Sequence, residues 1–153
     1  MQRARVIGIG QAAAGDDGVG LAVLDALERM PVPPGVQLLR VAEPTALIPL
    51  LEDAPRAVLV DAVVGAGQPG EVLTVPASAI DARVPGLVST HGVSVGQAVA
   101  LAEALSGERA LADVWVVAVC IDPPEKLAHG LSEPVAAAVP RAARAVIAKL
   151  EEE

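Results

Sequence analysis

The stretch from Arg5 to Gly20, R-V-I-G-I-G-Q-A-A-A-G-D-D-G-V-G, restricts the fold more than any other part of the chain. Val6 to Ile9 reads as a short apolar strand that turns through Gly8 and Gly10. It then delivers two adjacent carboxylates, Asp16 and Asp17, to the start of a helix over Gly18 to Met30. Glycine supplies the backbone freedom such a turn needs and lets a neighbouring group come close to the main chain. A strand, a loop and a helix in succession put the loop at the carboxyl edge of a parallel sheet, where open α/β folds keep their ligand sites. Leu21, Leu24 and Leu27, with Ala22, Val23 and Ala26, give that helix one apolar stripe, opposite Asp25, Glu28 and Arg29. Pro31, Pro33, Pro34 and Gly35 stop it.

The same alternation continues. Val36 to Ala42 reads as a second strand, and a short helix runs from Glu43, Pro44 and Thr45 to Glu52, with Pro49 in its first turn. Ala57 to Val64 (A-V-L-V-D-A-V-V) is apolar except for Asp61, the pattern of a central parallel strand buried on both faces. Glu71 to Val75 follows with no intervening helix, which predicts an antiparallel edge strand, and Pro76 to Val88 reads as loop. Ser89 and Thr90 offer caps for a helix over Val93 to Leu105. Asp113 to Cys120 is the last strand, and Ser132 caps a C-terminal helix that Pro140 is expected to kink. The expectation is an α/β fold: one three-layer domain over 1–153, a mostly parallel twisted sheet of about five strands with helices on both faces.

Charge narrows the function classes. Eleven Lys and Arg against 19 Asp and Glu leave a formal charge of −8, and no basic face for nucleic-acid phosphates is visible. A single Cys120 excludes an internal disulfide and suits a reducing compartment. Within an apolar strand and with no basic neighbour in sequence, it reads as packing, not as a nucleophile. The start of the chain lacks the apolar core and cleavage site of a secretory signal. The uncharged window Val84 to Ala102 holds too many polar residues and glycines for a membrane span. A soluble, cytoplasmic protein is expected, monomeric, with neither a nucleic acid nor a membrane as partner. No G-x-S-x-G elbow is present, which disfavours a serine hydrolase.

The candidate site residues are few. Asp16 and Asp17 have a plain reading as acids at a helix N-terminus. Two in a row exceed what capping needs, however, and like charges side by side favour a cation or partner. Asp61 is flanked by V-L-V and A-V-V, so it needs a hydrogen bond, a paired charge or a metal. His91, in S-T-H-G, and His129 both have the default reading of a satisfied polar group. His91 differs because its helix feeds the last strand, so its loop can approach the rim that carries Asp17 and Asp61. Two carboxylates and one imidazole suit Zn, Ni, Mn or Fe. The rival reading is a non-catalytic metal or nucleotide binder on a Rossmann-like scaffold. Gly8, Gly10 and Ala13 match a loose dinucleotide fingerprint, and Glu43 stands where a ribose-binding acid could sit. Two carboxylates at the head of the helix would nevertheless repel a pyrophosphate.

Four blocks in order resemble the nickel–iron hydrogenase maturation proteases, over nearly the whole chain. They are G-I-G-Q-A-A-A-G-D-D-G-V-G, the strand L-V-D-A-V around Asp61, S-T-H-G-V before an Ala/Leu-rich helix, and E-K-L-A-H-G-L-S-E-P-V. The resemblance implies a C-terminal processing endopeptidase whose partner is a hydrogenase large-subunit precursor. It implies nickel bound by Asp17, Asp61 and His91, carried in by the substrate, with another divalent cation able to substitute in isolation. It also implies catalytic work shared among Asp16, Asp17 and Asp61, with Asp16 orienting Asp17 or acting as base. Gln11 stands where the family has Asn, and A-E-P-T (Ala42 to Thr45) where it has a G-G-T-type segment.

Overall fold

Runs of Val, Ile and Leu too apolar to face water on either side form the inner strands of one five-stranded sheet. The structure, a computed structural model, describes residues 4–52, 54–80, 94–106, 113–123 and 130–152. Strands β1 (Ala4–Ile9), β2 (Val36–Val41), β3 (Arg56–Val64), β4 (Val72–Pro76) and β5 (Asp113–Ile121) lie in the order β2-β1-β3-β5-β4. All pairings are parallel except that of β4 with β5. The expected antiparallel edge strand is therefore present. Its partner is the later β5 and not its predecessor β3, because β5 has taken the place beside β3.

Among the described residues four helices cover the two faces: α1 (Val19–Glu28), α2 (Leu47–Leu51), α3 (Val95–Ser106) and α4 (Glu133–Glu151). Side chains alternate across a strand. Val58, Val60 and Ala62 of β3 pack with Val117, Val119 and Ile121 of β5 under α1 and α4. Ala57, Leu59 and Val63 join Val116, Ala118 and Cys120 under α2 and α3. The three layers and the doubly covered β3 match the sequence reading, with seven successive buried residues from Ala57 to Val63. Among the described residues no helix is long and apolar enough to cross a membrane.

Several local expectations change. Ala12–Gly18 forms a 3-10 turn ahead of α1, so Asp16 and Asp17 do not head that helix, and Gly18 occupies its N-cap. Gly15, at φ +62°, breaks helical geometry just ahead of Asp16, so the acids sit in the last part of the turn, immediately before the Gly18 N-cap. Ala77–Ala79, expected as loop, is also a 3-10 turn. Pro49 does lie in the first turn of α2. Ser89 and Thr90, expected to cap α3, lie outside the described residues. Ser94 and Gln97 exchange bonds there instead: the Gln97 N–H donates to Ser94 Oγ at 3.0 Å and the Ser94 N–H to Gln97 Oε1 at 2.9 Å. This S-x-x-Q pair satisfies two free amides reciprocally. α4 continues through Pro140 as one helix.

Candidate active site

The connections around β1 decide where a site can form. From β1 the chain leaves by α1 on one face to β2, then returns by α2 on the other face to β3, across β1. The strand order thus reverses between β1 and β3, and a crevice opens at the carboxyl ends of strands at such a point. The β1–β3 pairing runs from Arg5–Ala57 to Gly8–Val60. Asp61 is the next β3 residue, and on its other side it pairs with Ala118 of β5.

Two close approaches bring the β1–α1 turn onto this spot. A β-carbon on Gly20 would stand 2.5 Å from the Ile9 carbonyl oxygen and 2.6 Å from that of Val60, so only glycine lets α1 start against both strands. Gly10, at φ +153°, lies against the Asp17 main chain, and its N–H donates to the Val41 carbonyl at 3.0 Å. The turn is thereby pinned to the ends of β1, β2 and β3, with Asp17 folded inward. Asp17 and Asp61 are each only 5% exposed, among the few buried charged residues described.

Asp61 Oδ1 accepts the Ala62 N–H at 2.9 Å. Burial pushes its carboxyl well above the ordinary carboxylate range; the Ala62 bond opposes this, and the nearby Asp17 charge adds to it. A low-dielectric setting disfavours the ionised form, and a second carboxylate disfavours it further. A divalent cation between the two would relieve both effects, which is how this donor pair fits a metal.

Asp16 has a different partner. Its Oδ1 accepts the Ser132 N–H at 2.6 Å and its Oδ2 accepts the Ser132 hydroxyl at 2.7 Å. Ser132 holds the expected N-cap position of α4, but its hydroxyl does not cap that helix. Neither feature is visible in the sequence, since the two residues lie 116 positions apart. Gln11 is exposed and its side chain caps nothing. Cys120 is buried, as expected of a packing residue.

The structure therefore brings Asp17 and Asp61 together and turns Asp16 toward α4. His91 and His129 lie outside the described residues. Among the described residues, no three His, Cys, Asp or Glu side chains gather as a metal site. Asp61 does point to the face covered by α3, the helix that follows the His91 segment.

Comparison with known proteins identifies the family and the fold. Residues 23–149 match the family described as hydrogenase maturation protease, a span that holds Asp61 and His91 and begins after Asp16 and Asp17. No curated protein matches the chain in sequence. Among solved structures, the hydrogenase maturating endopeptidase HybD of E. coli is similar, with TM-score 0.77 and 23% identity over 97% of this chain and 92% of that one. The nickel–iron hydrogenase maturation protease HycI of Thermococcus kodakarensis KOD1 gives TM-score 0.73 and 23% identity over 99% and 94%. The hydrogenase 2 maturation peptidase of Thaumarchaeota archaeon SCGC_AB-539-E09 gives 0.70 and 28% identity over 99% and 100%.

Proposed function

The chain belongs to the hydrogenase maturation protease family and is an endopeptidase, and on that premise we propose how its site selects and cuts its substrate. The substrate is a nickel–iron hydrogenase large-subunit precursor already loaded with nickel, from which the C-terminal extension is removed. Asp17, Asp61 and His91 recognise the nickel as cargo. The observation that carries this reading is the burial of two carboxylates side by side at the strand-order reversal, one of them with a strongly raised proton affinity. Such a pair is poorly used by an empty fold and well used by an arriving divalent cation.

The chain's own part follows from that placement. Burial raises the proton affinity of Asp61, so a cation bound there competes with its proton and recognition is coupled to pH. Asp17 supplies the second anionic oxygen from a turn fixed by Gly20 against β1 and β3. A metal so held polarises a carbonyl or a water. The carboxylate not engaged with it at that moment is the group placed to accept a proton. Requiring nickel for tight binding makes the cut a checkpoint: an unloaded precursor leaves the two acids facing each other without a cation.

The direct test incubates the purified protein with the precursor in nickel-loaded and nickel-free forms and follows the precursor's C-terminus by intact mass. Shortening of the loaded form alone is the expected result. Equal cutting of both forms removes the recognition role of the acids. Nickel-dependent association without any cutting would return the chain to the class of metal binders.

A further inference from the structure

We propose that Asp16 is a positioning residue which, by clasping Ser132, fixes how far Asp17 reaches toward Asp61. The inference rests on the reading of Asp17 as a recognition residue and adds to it a device built from the far end of the chain.

Asp16 immediately precedes Asp17 in the turn Ala12–Gly18, so whatever anchors one carboxylate limits the other. Both Asp16 oxygens are held by a single residue, one through the main-chain N–H and one through the hydroxyl of Ser132. A carboxylate that accepts two short bonds is oriented more strongly than one making a single contact. Ser132 begins α4, whose N-terminus favours an anion, so the clasp also completes the end of that helix from outside.

The same first turn of α4 holds the loop that follows β3. Gly70 packs so closely that a β-carbon there would stand 2.6 Å from the Pro134 carbonyl oxygen. Its own carbonyl accepts Arg141 Nη2 at 2.7 Å, and its N–H donates to the Cys120 carbonyl at 2.8 Å. One fixture, Ser132 to Pro134, therefore braces the turn carrying Asp17 and the loop that continues from the strand carrying Asp61. Two acids on separate segments keep a constant spacing only if both segments are referred to a common rigid element, and α4 at 19 residues is the longest helix described. With both oxygens engaged on α4, Asp16 serves the site through geometry and not as the proton acceptor.

The test compares Asp16→Ala, Ser132→Ala, the double variant and Ser132→Thr in the full-length protein. With the nickel-loaded precursor, Asp16→Ala, which removes both bonds, is expected to raise KM about tenfold, and Ser132→Ala, which leaves the main-chain N–H bond in place, about threefold, while kcat changes less than about twofold in either. The double variant should be no worse than Asp16→Ala alone, because without the carboxylate Ser132 has nothing left to hold. Ser132→Thr keeps the hydroxyl and should restore the wild-type KM. A collapse of kcat in Asp16→Ala with Ser132→Ala silent would make Asp16 a base and overturn the proposal. So would a fall in melting temperature with KM unchanged, which would leave the clasp merely structural. Hydrogen exchange of the Gly15–Gly18 amides gives a readout free of activity, with acceleration expected in both alanine variants and the larger in Asp16→Ala. Unchanged exchange in both overturns the clasp, whereas a wild-type protein that never cuts the precursor overturns the assigned function and leaves this measurement to decide the clasp.

Discussion

The amino rim of the sheet carries an arginine at the start of each of two neighbouring strands, Arg5 on β1 and Arg56 near Asp113 of β5 on β3. Arg5 Nη1 donates to the Leu50 and Glu52 carbonyls at the end of α2, at 2.7 and 3.1 Å. Arg56 donates to the Lys149 and Glu152 carbonyls at the end of α4 and pairs with Asp113 at 3.2 Å. Asp113 also accepts the Trp115 indole N–H at 2.9 Å, and the Lys149 ammonium sits over the Trp115 ring while pairing with Glu152. At the carboxyl rim the charges have the opposite sign. Asp16 meets the start of α4, and Asp17 and Asp61 are buried beside each other.

Helix polarity explains most of this contrast. In a parallel α/β fold the helices end at the amino rim and begin at the carboxyl rim, so cations suit the first and anions the second. Arg5 and Arg56 satisfy the free terminal carbonyls, and Asp16 answers a free terminal amide. The Asp17–Asp61 pair goes beyond what helix ends require, since neither helix polarity nor capping calls for two buried acids so placed that the charge on Asp17 raises the proton affinity of Asp61. On the function proposed above, the amino rim's charges serve stability and the two buried acids serve a ligand.

The largest effect that tests this difference is expected for Asp61→Asn. It should lower cleavage of the loaded precursor at least about a hundredfold, roughly 3 kcal/mol in the barrier. The metal-free variant should at the same time be more stable than wild type at neutral pH. Asp61 holds its proton more tightly folded than unfolded, so its contribution to stability is full below the ordinary carboxylate range and is lost as pH rises through the raised value. Denaturant unfolding across pH should therefore show wild type falling behind Asp61→Asn as pH rises, with the gap closing in acid. A variant less stable than wild type at every pH would mean that Asp61 is structural and that the rims do not differ in kind.

Gly20→Ala comes next. Its β-carbon would press on two main-chain carbonyls, so α1 must shift from β1 and β3, at a cost of about 2 kcal/mol in unfolding free energy. Cleavage should fall as well, because the turn that carries Asp17 moves with α1. Wild-type activity in the folded variant would show that the spacing of the acids does not depend on this contact.

The smallest effect belongs to the amino rim. Arg56→Met keeps the apolar stem but loses the bonds to the end of α4, and should lower stability by about 1 kcal/mol. Its cleavage kinetics should match wild type once the folded fraction is equal. A specific loss of kcat there would break the division between the two rims.

Much of this fold could be read along the chain. The apolar run around Asp61, the Leu21–Leu24–Leu27 stripe and the prolines that end elements depend on neighbours within a few positions, and their periodicity is printed in the sequence. The S-x-x-Q box of Ser94 and Gln97 is a pattern of the same local kind, spanning four successive residues. Asp17 and Asp61 could be paired as candidates because strand–loop–helix order fixes which sheet edge each loop reaches.

The strands and main helices, the face each side chain takes and the rim where the acids gather all follow from local periodicity and chain direction. The pairing of Asp16 with Ser132, the pairing of β4 with β5, and the bracing of both sides of the crevice by the first turn of α4 are set by long-range packing. Those choices join residues as much as 116 positions apart, and they turn on which surfaces remain free once the sheet has closed, a quantity that no local pattern encodes.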